Sequence, residues 1–215
     1  MLDNKTIILD IGYIEDTSNN HSELCPKDFK FNIKVIKLIK KILELNGVNV
    51  VLAQPLNFDK ISLKDKIALE KEVKANGFIS IQINKNLNNK FDDWIFYWHT
   101  SHESGKLAAF IDRSLDDYLN SIDRDITASA PGSWNDFQIL KEINCPVVVI
   151  EYNHISKKYS TIKYALSISE GIMQFLDINY ILKIKKNKLV ILIEKTIYLL
   201  NKLLNKILEK EEHND

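Results

Sequence analysis

The chain has 215 residues with 29 basic and 29 acidic side chains, a formal net charge of zero, and 45% hydrophobic residues. That balance offers no global attraction to nucleic acid or to an anionic membrane, while the apolar content is enough for one ordinary core. Two cysteines, Cys25 and Cys145, neither in a CxxC pair, exclude a disulfide framework.

The stretch TIILDIGYIE opens as a buried strand that delivers Asp10 and Gly12 to its carboxyl end, where Tyr13 follows. In KDFKFNIKVIKLIKKILELNG, the residues Phe29, Ile33, Ile36, Ile39, Ile42 and Leu43 recur at three- and four-residue steps, which predicts a helix with one apolar face. Asn46-Gly47 supplies its left-handed stop. VNVVLAQP reads as a short strand ended by Pro55, and Ser62 with Asp65 three residues on predicts a capped helix running to Ala75.

GFISIQIN alternates as a strand, DWIFYW is a second, aromatic strand, and an amphipathic helix is predicted from about residue 103 to 119. PVVVIEYN is an uninterrupted β-branched run, the mark of a strand buried on both faces. A further helix is predicted over about 161–176. Strands alternating with helices specify an α/β fold: a mixed, mostly parallel sheet covered by helices on both faces.

From about Lys185 the pattern changes. Val190, Ile193, Ile197, Leu200, Leu204 and Ile207 step by three and four, and Lys188, Lys195 and Lys202 recur every seven residues away from that seam. This divides the chain into an α/β domain over 1–180 and a C-terminal amphipathic helix over 181–215. The seam suits docking on its own domain, a homo-oligomer or a partner helix, and less well a membrane surface. The N-terminus lacks a basic-then-apolar leader, and no run of about 18 uncharged apolar residues occurs. The expectation is a cytoplasmic protein with no transmembrane segment and no nucleic-acid partner.

In order, these segments resemble the zinc-dependent N-acetylmuramoyl-L-alanine amidases of the amidase-3 type, which cut peptidoglycan between the lactyl sugar and the stem peptide. LDIGYIE stands where that family reads LDPGHGG, DFKFN matches E-x-x-x-N, and GVNVVLAQ matches G-x-x-V-x-x-T-R. KIALEKEVKANGFISIQIN, from Lys66 to Asn84, matches R-V-A-x-A-N-x-x-x-A-D-x-F-x-S-I-H-x-N without a gap, and LKEINCPVVVIE matches the strand that ends on the catalytic glutamate. Five segments in the right order cover about Thr6 to Leu176.

The resemblance implies a set of site positions. Zinc in that family is held by a histidine, a glutamate and a second histidine, positions that fall on Tyr13, Asp28 and Gln82 here. The general base falls on Glu151. Both imidazoles are therefore replaced. A phenol that ionises near pH 10 and a neutral amide oxygen are poor zinc donors, whereas a catalytic zinc wants three imidazole, carboxylate or thiolate ligands. Without the metal, Glu151 alone cannot turn bulk water into hydroxide near neutral pH. Family arginines also become Gln54 and Lys66, removing a bidentate fork.

The resemblance thus implies an amidase-like protein without zinc, catalytically impaired, that binds a peptidoglycan fragment or a protein partner. The alternatives are an active endolysin-type or spore-cortex-type amidase with an unconventional metal site, and an assembly component acting through the C-terminal helix. Such an enzyme would be released by lysis or work inside a mother cell. A rebuilt zinc site would draw on His21 with Glu23 and Cys25, on His99 and His102, or on Glu151 with His154. Possible ligand contacts are Gln54, Lys66, Asn84, Trp98 and His99. Glu151 has a structural alternative as the ion-pair partner of Lys66 or as a helix cap, and the aromatics Trp94, Phe96, Tyr97 and Trp98 have one as strand packing.

Overall fold

The computed structural model describes residues 5–12, 26–56, 61–84, 93–119, 124–133, 136–153 and 160–178. All of them lie in the first of two units, Met1–Asn179; the second, Tyr180–Asp215, lies outside the described residues, and the expected C-terminal helix with it.

The sheet is built from β1 (Thr6–Ile11), β2 (Asn49–Leu52), β3 (Gly77–Asn84), β4 (Asp93–Trp98), β5 (Arg124–Ser129) and β6 (Val147–Asn153), in the order β2-β1-β3-β6-β4-β5. The first four positions in that order run parallel. β4 lies antiparallel to β6, and β5 parallel to β4. The α/β sheet is therefore mixed and mostly parallel, as the sequence implies. Every residue of β1 is buried, as are Val147 to Tyr152 of β6, which is why both read as unbroken apolar runs.

The helices are α1 (Pro26–Leu45), α2 (Leu63–Val73), α3 (His102–Leu119), α4 (Gln138–Glu142) and α5 (Thr161–Phe175). Ile36, Ile39 and Leu43 of α1 are fully buried, as their spacing predicts, while Gly47 at φ +82° ends the helix. Ser62 accepts from the Asp65 amide at 3.2 Å, and its hydroxyl donates to the Asp65 carboxylate at 2.6 Å. α2 stops at Val73, earlier than predicted, because Lys74 takes a left-handed conformation.

Alternation along the strands sends successive side chains to opposite faces. On one face Ile8, Phe78, Val147, Val149, Trp94 and Phe96 form a core with Leu140 and Ile143, with Ile67, Leu69 and Val73 of α2 packed against it. On the other face the Tyr152 ring lies 5.2 Å from Phe31 of α1 and 5.8 Å from Tyr164 of α5. α3 packs tightly on α5, where Gly171 lies against the backbone of Ile111. Helices cover both faces.

Candidate functional site

The two core rows of β1 and β3 end in polar residues. On β1 the face toward α2 carries Ile8, then Asp10, then Gly12. On β3 it carries Phe78, Ser80 and Gln82, and on β6 Val147, Val149 and Glu151. The register sets Asp10 beside Ser80 and Gln82 beside Glu151. Four polar side chains thus converge at the carboxyl ends of three parallel strands, where open α/β sheets build their sites.

Two separate hydrogen-bonded groups result. In the first, Lys66 from the opening turn of α2 places Nζ 2.8 Å from Asp10 Oδ1 and 3.0 Å from Oδ2. Ser80 Oγ donates to Asp10 Oδ2 at 3.0 Å. Asp10 is 1% exposed and Lys66 8%, so this is a buried ion pair whose hydrogen bonds both fall on Oδ2, while Oδ1 faces Nζ without one among the described residues. It corrects the structural alternative for Glu151, because Lys66 reaches Asp10 on β1 and not the β6 carboxylate.

In the second group, Gln82 Nε2 donates to Glu151 Oε1 at 2.6 Å. Gln82 is 5% exposed and Glu151 7%. Burial pushes the Glu151 carboxyl up from 4.5 to about 7, and the Gln82 hydrogen bond only partly opposes that. Gly12 makes room for the pair: a Cβ there would sit 2.5 Å from Gln82 Oε1 and 2.7 Å from Ser80 Oγ. Gly12 is needed for this close approach.

The other expected positions are placed as follows. Gln54, just after β2, is buried and donates from Nε2 to the Ile11 carbonyl at 2.7 Å, so it braces the end of β1. Its Oε1 has no hydrogen-bond partner among the described residues. Asn84 ends β3 in register with Asn153. Tyr13, His21, Glu23, Cys25 and His154, with the side chains of Asp28 and Asn84, lie outside the described residues. Among the described residues no three His, Cys, Asp or Glu side chains come together.

The aromatic strand separates residues that the sequence groups together. Because β4 runs antiparallel to β6, Trp94 pairs with Glu151, while Trp98 and His99 lie toward the opposite end of the sheet. His99 is exposed, its amide bonded to the Ser129 carbonyl at 2.9 Å, and His102 begins α3 in solvent. Trp94 is the neighbour of the site that sequence spacing could not single out. Its signal is the strand direction, which an eight-residue connection leaves open. Its ring stacks on Phe96 at 5.7 Å and is nearly buried, so it forms part of the wall beside Glu151.

Comparison with known proteins adds the family context. An amidase-3 family model, described as N-acetylmuramoyl-L-alanine amidase, matches residues 7–170. The probable cell wall amidase LytH of Staphylococcus saprophyticus is 25% identical over 159 residues, covering 72% of this chain and 50% of that protein. The chain spans about half the length of that relative. The catalytic domain of CwlV, an amidase from Bacillus (Paenibacillus) polymyxa, superposes with a TM-score of 0.64 at 20% identity over 81% of this chain and 99% of that one. An amidase from Clostridium difficile 630 gives 0.64 at 24% identity over 80% and 97%. The CwlD amidase of Clostridioides difficile, solved with the GerS lipoprotein, gives 0.58 at 23% identity over 81% and 99%. At these identities the solved structures share the fold.

Proposed function

The chain belongs to the N-acetylmuramoyl-L-alanine amidase family of the amidase-3 type, and from that premise we propose that it is a zinc-free, catalytically impaired member that binds peptidoglycan fragments or a protein partner. The observation that carries this reading is the 2.6 Å bond from Gln82 Nε2 to Glu151 Oε1. Zinc does not fit the described donors. Where the family resemblance implies an imidazole ligand, an amide nitrogen stands instead, with no lone pair to offer, already donating to the carboxylate. The carboxylate expected to serve as base is held by that same amide.

What remains is a set of polar groups at the strand ends whose chemistry suits binding. Gly12 lets Gln82 and Ser80 pack close against β1, Asp10 and Lys66 are paired with each other, and Glu151 offers a buried carboxyl beside Trp94. Amides and carboxyls of this kind recognise the N–H and hydroxyl groups of amino sugars and peptides through paired hydrogen bonds. The CwlD neighbour, solved with a lipoprotein, supports a protein partner as the other class of occupant.

One observation favours a second reading, retained hydrolysis at an unconventional site: a carboxyl raised to about 7 has the proton affinity of a working general base. Two measurements on protein purified without chelator or metal-affinity tag decide between them. We expect substoichiometric zinc by elemental analysis, no release of stem peptide from peptidoglycan, and saturable muropeptide or partner binding. Stoichiometric zinc with stem-peptide release would establish the second reading and end the first.

A further inference from the structure

α1 carries a charge pattern that the candidate site does not use. Its twenty residues hold six lysines against two acids, in a chain whose net charge is zero. Lys30, Lys34, Lys37 and Lys41 are all exposed and follow one another at steps of four, three and four. Those steps place them on one narrow face, at intervals of about 6, 4.5 and 6 Å along some 16 Å of helix. None of the four forms an ion pair among the described residues; Lys40, off the row, pairs with Glu44. Like charges at these spacings repel, so the row weakens its own helix until an anion lies along it.

The row has a fixed direction relative to the sheet. Asn32, beside its first lysine, reaches the Ile81 carbonyl near the carboxyl end of β3. Lys40, beside its last, donates to the Val50 carbonyl near the amino end of β2. The line of charge therefore starts toward the end of the sheet where Gln82 and Glu151 sit and runs toward the amino ends of the parallel strands.

We propose that this lysine row is a docking surface for a linear polyol-phosphate polymer laid along α1. Charge complementarity and the straight, regular spacing favour a flexible chain of phosphodiesters. Nucleic acid fits less well, because among the described residues no aromatic side chain lies on the row to stack a base; its flanks are Ile33, Leu38 and Leu45. A bilayer fits less well because, among the described residues, Leu45, 64% exposed, is the one large apolar side chain of α1 standing well out in solvent, while Val35, Ile36, Ile39 and Leu43 are committed to the core. The surface is separate from the candidate site and holds whether or not that site binds or turns over a ligand.

The test titrates the full chain with poly(glycerol phosphate), with a single-stranded oligothymidylate of equal phosphate number, and with phosphatidylglycerol vesicles. Poly(glycerol phosphate) is expected to bind tightest, with affinity falling about fiftyfold between 50 and 200 mM salt for four phosphates engaged. The combined Lys30→Gln, Lys34→Gln, Lys37→Gln and Lys41→Gln variant should lose at least tenfold affinity while keeping its circular dichroism. Lys64→Gln with Lys71→Gln, exposed on α2, should bind as the parent does. Absence of binding at 50 mM salt, undiminished binding by the fourfold variant, or preference for oligothymidylate or vesicles would each overturn the proposal.

Discussion

Replacing Glu151 with glutamine should stabilise the protein at alkaline pH and leave it unchanged in acid. The folded chain binds a proton at Glu151 at about pH 7, the unfolded chain at 4.5. Its contribution to stability is therefore complete below pH 4.5, declines as pH rises through that window, and levels off above 7. The gap between 4.5 and about 7, at about 1.36 kcal/mol per pH unit, amounts to roughly 3 kcal/mol lost by the parent. The amide substitute does not ionise, and its oxygen can still accept from Gln82 Nε2 at the 2.6 Å contact. Allowing for one new amide N–H group to place, Glu151→Gln should be about 2–3 kcal/mol more stable than the parent at pH 8 and equal to it near pH 4.5. In a domain of this size that is roughly 5–10 °C in Tm. Urea unfolding followed by tryptophan fluorescence at pH 4.5, 6, 7 and 8 measures it. Stability curves for parent and variant that run parallel across that range would refute the assignment of a buried, proton-binding carboxyl.

Lys66→Ala leaves Asp10 charged and buried, so it should cost about 3–5 kcal/mol in urea unfolding, whereas Asp10→Leu with Lys66→Met should recover most of that loss. Gly171→Ala puts a Cβ 2.5 Å from Ile111 Cα, a backbone atom that cannot swing aside, so α3 and α5 must separate. We expect about 1–3 kcal/mol of destabilisation with little change in the far-ultraviolet spectrum. Burial, with the nearby Glu70 charge, pushes the Cys145 thiol up to about 12. Peptide mapping after iodoacetamide treatment of native protein at pH 8 should find Cys145 unmodified, and denatured protein should be fully labelled.

Nine of the eleven elements could be read from the sequence because each repeats its apolar residues at one period over enough length. β5 and α4 could not. β5 is an edge strand whose first four residues are half-buried, so Arg124-Asp125-Ile126-Thr127 shows no apolar run, and α4 spans five residues, less than two turns. β2 was visible but is itself short. The strand-end positions of Asp10, Gln82 and Glu151 could be read from the sequence and the family resemblance, and parallel strands bring such carboxyl ends to one edge. The Asp10–Lys66 pairing did not follow. Which carboxylate a helix lysine reaches depends on how α2 tilts over the sheet, and β3 stands between the two candidates. The direction of β4, which parts Trp98 and His99 from Trp94, was equally closed to local pattern.

The chemistry of an amide explains why glutamine suits position 82 once a carboxyl stays buried at 151. A nearby cation would hold Glu151 ionised, but Lys66, the cation described at these strand ends, is bound to Asp10, and what acts on Glu151 is burial and the neutral Gln82. Burial with no compensating charge therefore raises its proton affinity, and the neutral Gln82 only partly opposes that. A carboxyl that titrates near neutrality needs a partner able to serve both of its forms. Gln82 has that capacity, since its N–H₂ donates to the carboxylate and its carbonyl oxygen, turned over, accepts from the acid. A lysine would hold only the charged form, and an imidazole would bring a second titrating group beside the first. Gln82→His should therefore weaken the pair without restoring a metal centre, because one imidazole with the Asp28 carboxylate, and a phenol at Tyr13, falls short of the three ligands a catalytic zinc requires.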